Sequence, residues 1–169
     1  GVYVQGATRG DGEEGEDVTE NLRTVMDLPA KLKGRYLPDV FEVRGEIYIT
    51  REDFLALNKE REAAGERPFV NARNTASGGL RQIDPALTAK RRLRLFAYSW
   101  GETSEPVTGL YGGYLKRLKN WGFQVNPLAR ASDTLEDGLA HYRDVVAKRD
   151  GLPYEIDGVV FKIDRIDWQ

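Results

Sequence analysis

The 169-residue chain has no cysteine, one histidine and one methionine. No run of apolar side chains approaches the ~20 residues needed to span a bilayer. Each scarcity removes a class of protein. Without Cys there can be no disulfide scaffold, Cys-ligated zinc, iron–sulfur cluster or thiol nucleophile, and the composition agrees with a reducing compartment. A lone His141 excludes a zinc pair of the HExxH type, and any Ser-His-Asp arrangement would have to run through that one imidazole. The first residues, Gly1-Val-Tyr-Val-Gln5, carry neither the basic flank nor the apolar core of a signal peptide. The expectation is one soluble domain of ordinary size, cytoplasmic and without a membrane partner.

Charge is balanced in total and uneven along the chain. Residues 1–60 hold 8 basic and 13 acidic side chains, residues 61–95 hold 8 and 3, and residues 96–169 hold 9 and 11. The middle segment, at +5, is the candidate anion-facing surface.

The patterning predicts α+β architecture with mostly antiparallel sheet and flanking helices. Val2-Tyr3-Val4 reads as a strand in progress at residue 1, which suggests a natural chain that starts upstream. A short helix follows Asp17, and 29–38 is a linker. Residues 41–49 alternate, placing Glu42, Arg44 and Glu46 on one strand face and Phe41, Val43 and Ile49 on the other. Thr50 with Asp53 resembles a capping box for a helix that frays near Gly65. Residues 68–82 read as irregular, Asp84-Pro85 as a helix start, and 93–100 as a strand. Tyr114, Leu115, Leu118 and Trp121 are spaced for a helix, and Val125 for a brief strand. Ser132 or Asp133 caps a helix with Leu135, Leu139, Tyr142 and Val146 on one side, and 154–163 closes the chain as a strand.

Gly10-Asp-Gly12-Glu-Glu-Gly15 matches GxGxxG formally, but its carboxylates occupy the place where a pyrophosphate would meet bare N–H groups. An acidic turn accounts for it better. Glu46 behind Gly45 is suited to accepting both hydroxyls of a ribose, although a solvated face with Arg44 paired to Glu42 or Glu46 accounts for it too. Arg73 and Arg81, eight apart with Asn71, Asn74 and Gly78-Gly79 between or beside them, could present two guanidiniums to one anion. A plain loop is the alternative. Lys90-Arg91-Arg92 and Arg94 read as a diffuse phosphate-backbone contact or simply a basic face. On a strand over 157–162, Asp157, Val159 and Phe161 share one face and Gly158, Val160 and Lys162 the other. A lysine at the end of a buried strand needs a carboxylate or an anion, which makes Lys162 a candidate nucleotide contact.

Four segments taken together resemble the adenylation domain of bacterial NAD-dependent DNA ligase: Thr8-Arg-Gly-Asp-Gly12, Glu42-Val-Arg-Gly-Glu46, Phe69 through Gln82, and Ile156-Asp-Gly-Val-Val-Phe-Lys162. The similarity extends over essentially the whole chain, including Asp84-Pro85 and Phe96-Ala97-Tyr98. The resemblance implies the fold shared by DNA ligases and mRNA-capping nucleotidyltransferases, and a place in DNA replication and repair. In that chemistry NAD donates AMP to an active-site lysine, AMP passes to the 5′-phosphate of a nick, and the 3′-hydroxyl seals it, with Mg as the divalent ion. Carried over, Glu46 holds the ribose hydroxyls, Arg9 lies beside the sugar, Tyr98 stacks on adenine and Lys162 contacts the adenylate. Arg73 and Arg81 serve phosphate transfer and the nicked strand, and Asp157 supports the Lys162 strand and the metal environment. The resemblance assigns no metal ligand, and its partner is nicked double-stranded DNA bound by a monomeric full-length enzyme.

The chain also departs from the family pattern. No Lys-x-Asp-Gly motif, the family's nucleophile, occurs in residues 1–169, and the later lysine-bearing segment is not found either. Ala72 stands where Pro is usual, and Ser77-Gly78-Gly79 varies the usual Ala-Gly-Ser order. The expectation is therefore the inner part of an adenylation domain, inactive by itself. The alternatives are an ATP-dependent nucleotidyltransferase of ligase or capping type and a catalytically inactive nucleic-acid-binding module.

Overall fold

Alternation becomes a strand where a partner is present to take its hydrogen bonds. In the computed structural model, which describes residues 1–169, Phe41–Tyr48 forms β1 and pairs with β2, Arg94–Thr103, in a two-stranded antiparallel sheet. Burial along β1 alternates as the sequence predicts, with Glu42, Arg44 and Glu46 on the exposed side.

The other regular elements are helical. In chain order they are α1 (Thr19–Leu22), α2 (Arg51–Ala63), α3 (Ala72–Leu80), α4 (Pro85–Ala89), α5 (Tyr111–Trp121) and α6 (Leu135–Lys148), with single 3-10 turns at Arg149–Gly151 and Ile166–Trp168. The capping box of α2 is present. Thr50 Oγ1 accepts from the Asp53 N–H at 3.1 Å and donates to the Asp53 carboxylate at 2.7 Å. Pro85 sits in the first turn of α4 behind its cap Asp84.

Chain contacts divide the molecule into two compact units, and the division falls inside both strands. One unit comprises Gly1, Leu32–Gly45 and Phe96–Gln169; the other comprises Val2–Lys31 and Glu46–Leu95. The first is held by aromatic packing. Phe41 meets Trp121 edge-on at 4.9 Å, Trp100 meets Tyr114 at 4.7 Å, and Leu118 between them in sequence is fully buried. Burial of one such leucine contributes roughly 1.5–3 kcal/mol. Tyr114 donates its hydroxyl proton to Ser99 O at 2.8 Å, and burial pushes its ionisation far upward.

The second unit packs Val18, Val25, Ile49, Ala76, Leu80 and Leu93 around a buried polar knot. Thr88 Oγ1 donates to Gly79 O at 2.8 Å and accepts from Asn21 Nδ2 at 2.8 Å, while Asn21 also donates to Gln82 O at 2.7 Å. Asp53, nearly buried, pairs with Arg92 at 3.0 Å and Arg94 at 3.6 Å. Charges taken out of water are kept there by partners of this kind.

Several expectations are corrected. Sheet is scarcer than predicted, because alternation supplies faces but not partners. Val2 and Ala7 make only isolated bridges, to Lys31 and Asp17, and Val2 and Val4 stay exposed. Val125 is buried without a strand. Residues 154–163 form no strand either, and Val160, Phe161 and Ile163 lie at the surface. Residues 72–80, read as irregular, are α3: Asn71 caps it by accepting from the Asn74 N–H at 2.8 Å, and small residues at 72, 75, 76 and 79 form its buried side. Helix α6 is capped by Thr134 rather than Ser132 or Asp133. Its apolar side, Leu135, Leu139, Tyr142 and Val146, is largely exposed, whereas Gly138 and Val145 are buried.

Candidate functional site

The acidic glycine turn closes on itself. Gly10 and Gly12 take positive φ, of 54° and 107°, and the Asp11 carboxylate accepts from the N–H groups of Glu13 at 3.0 Å and Glu14 at 2.9 Å. Those bonds hold the Asp11 carboxyl below its usual range. The donors a pyrophosphate would need are spent within the turn. Arg9 immediately precedes it and is exposed.

In the second unit, β1 delivers Glu46 and α3 delivers Arg73, and the two meet at 3.5 Å. Each side chain is more than half exposed, at 56% and 62%. An exposed pair of this kind contributes at most ~1 kcal/mol. Arg81, the C-cap of α3, pairs with Glu16 at 3.4 Å. The two arginines thus face separate carboxylates rather than one shared point, because the segment between them is a helix and not a turn. Beside α3 runs a groove of about 310 Å³ lined by Phe69, Val70, Asn71, Asn74, Gly78 and Arg91 among others.

In the first unit, Arg44 donates to Glu42 at 2.7 Å, the simpler of the pairings open to it in the sequence. The Arg44 bond, and then the Glu102 N–H at 3.1 Å, hold the Glu42 carboxyl low. Tyr98 on β2 is 44% exposed, and its carbonyl accepts from the Tyr111 hydroxyl at 2.5 Å. Lys162 Nζ sits over the Tyr111 ring, 4.7 Å from its centroid. Lys162 is therefore exposed on an irregular segment and not desolvated at a strand end, and the tyrosine face supplies the partner that the sequence could not name. Asp157 is exposed on the same segment.

Sequence reasoning missed Tyr111 and Asp164. The Asp164 carbonyl and carboxylate take the Tyr111 and Gly112 N–H groups at 2.6 and 2.8 Å, tying the start of α5 to the Lys162 segment. Asp164 lies two residues beyond the motif, and no periodicity marks Tyr111 as other than a core aromatic. A larger cavity, about 480 Å³ and lined by Val107, Leu110, Arg165 and Ile166 among others, includes no predicted site residue. The candidate chemistry lies elsewhere, with the polar groups just described. No group of three or more His, Asp and Glu side chains is gathered closely enough to hold a metal ion.

A family model described as the NAD-dependent DNA ligase adenylation domain matches residues 1–169. Proteins named DNA ligase from Parvibaculum lavamentivorans and Maricaulis maris are each 53% identical over 169 residues, covering all of this chain and 24% of theirs. One from Methylorubrum extorquens is 53% identical, with 21% of its length covered. The chain thus spans about a quarter of the length of the curated relatives it matches.

Proposed function

We propose, because the chain belongs to the family of NAD-dependent DNA ligase adenylation domains, that the full-length protein seals nicks in double-stranded DNA with NAD as AMP donor. The amine of a lysine in a Lys-x-Asp-Gly motif outside residues 1–169 attacks the α-phosphorus of NAD, and the bond to nicotinamide mononucleotide breaks. A 5′-phosphate oxygen of the nick then displaces the lysine and takes the AMP. Attack by the 3′-hydroxyl on the 5′-phosphorus closes the strand and releases AMP. Such transfers depend mostly on positioning and on neutralising charge.

In this scheme Glu46 accepts the ribose hydroxyls, Arg9 lies beside the sugar, Tyr98 stacks on adenine and Lys162 neutralises the adenylate. Arg73 and Arg81 act on the phosphates being transferred and on the nicked strand, and Asp157 supports the Lys162 segment. The observation that supports the reading most is the pairing of Glu46, on an open strand face, with Arg73 at 3.5 Å, since a sugar-binding carboxylate and a phosphate-binding guanidinium are then neighbours.

The test is step-resolved. In the full-length protein Glu46→Ala should slow self-adenylation from NAD about a hundredfold, since it removes two hydrogen bonds to a charged acceptor worth roughly 1.5 kcal/mol each. Lys162→Ala should also block it, whereas Arg81→Ala should impair sealing of a pre-adenylated nick more than self-adenylation. Wild-type adenylation by Glu46→Ala, or labelling from ATP in place of NAD, refutes the assignment.

A further inference from the structure

The basic run at 90–94 contains an arginine that the proposed chemistry does not use. Arg91 is half-buried, and its guanidinium lies over the Phe69 ring, 4.8 Å from the centroid. Its Nη1 donates to Thr75 O of α3 at 2.8 Å. Phe69 is itself anchored to α2 at two points: its N–H donates to Asn58 Oδ1 at 2.7 Å, and its carbonyl accepts from Asn58 Nδ2 at 2.9 Å. Arg61 covers the same ring at 4.2 Å.

The path of Arg91 to Thr75 crosses Gly79. A Cβ on Gly79 would come within 2.5 Å of Arg91 Cδ and 3.2 Å of its Nε, whereas a Cβ on Gly78, the adjacent residue of the same helix, would meet nothing within 4 Å. Gly79 is therefore the notch through which Arg91 reaches the helix. Glycine in a helix interior costs roughly 0.5–1 kcal/mol relative to alanine, and at Gly79 that cost has a return.

We propose that Arg91, passing through the Gly79 notch between Phe69 and α3, is a positioning residue that fixes helix α3 and so the presentation of Arg73 and Arg81 at its two ends. A planar guanidinium suits the place because it stacks and donates at once. Burial and then the nearby Arg61 lower its basicity. The assignment of α3 rests on the contacts above; only its effect on catalysis rests on the ligase reading.

The experiment uses the full-length protein with Arg91→Met, Gly79→Ala and Gly78→Ala. Helix propensity alone predicts that both glycine variants hold α3 more firmly. The notch predicts that Gly78→Ala does so while Gly79→Ala displaces Arg91, so that amide hydrogen exchange over residues 75–80 speeds up at least tenfold in Gly79→Ala and in Arg91→Met. Sealing of a pre-adenylated nick should fall at least tenfold in both. Arg91→Met added to a variant that already carries Arg73→Ala and Arg81→Ala should cost less than a further twofold, since the helix then has neither arginine left to present; a merely stabilising residue would multiply. Exchange in Gly79→Ala no faster than in Gly78→Ala overturns the proposal, as does a multiplicative effect of Arg91→Met in that background. If wild type takes no AMP from NAD, the ligase reading fails, and the exchange comparison still decides whether Arg91 fixes α3.

Discussion

Thr88→Val is the sharpest test of how the second unit is held. The residue is 1% exposed, and valine matches its shape, so packing is nearly conserved while the hydroxyl is lost. Two hydrogen bonds of 2.8 Å disappear, to Gly79 O and from Asn21 Nδ2. At about 1 kcal/mol each the bonds contribute about 2 kcal/mol, and the dry Gly79 carbonyl and Asn21 N–H left behind add at least ~1 kcal/mol each. The added methyl returns about 0.8 kcal/mol. Asn21 keeps its bond to Gln82 O, which limits the damage on that side. The net loss is therefore about 2–4 kcal/mol, a fall in Tm of roughly 5–15 °C for a chain of this length. Urea and thermal unfolding followed by circular dichroism give the value, with Thr88→Ser, which keeps the hydroxyl, as the comparison. A loss in Thr88→Val under about 0.5 kcal/mol would mean that water replaces the hydroxyl and that the knot is not dry.

Asp27 gives a pH signature. Burial raises its carboxyl even though it accepts from the Leu95 N–H at 2.8 Å. The folded state therefore holds the proton more tightly than the unfolded one, and this contribution is full below the unfolded value of about 3.9 and lost as pH rises through the raised folded value. Asp27→Asn, which can still accept that N–H, should flatten this part of the stability profile without lowering stability at pH 7; an unchanged profile between pH 4 and the raised value contradicts the assignment. The 169-residue chain incubated with NAD and magnesium should gain no AMP by intact-mass measurement, and stoichiometric labelling would place the nucleophile inside it. In nicked-DNA binding by the full-length protein, Lys90→Ala should reduce the slope of log K against log salt by about one, while Arg91→Met should leave it unchanged. Equal effects of the two would mean that Arg91 contacts phosphate directly.

Local rules carried much of this molecule. The alternation at 41–48, the Thr50–Asp53 box, the Asp84-Pro85 start and the Tyr114-Leu118-Trp121 stripe all appear where their spacing put them, because each depends on neighbours a few residues away. The motif segments likewise identified the family over residues 1–169. Only the tertiary structure decided what those residues touch. The strand patterns at 2–4 and 154–163 found no ladder, since a strand is completed by a distant partner that the pattern does not specify. The +5 segment looked like one basic surface, yet Arg61, Arg91, Arg92 and Arg94 are engaged by Glu66, Phe69, Thr75 and Asp53. Whether an arginine faces phosphate or braces a helix is fixed by groups brought to it from 16 or more residues away, and charge counts along a chain carry no record of that approach.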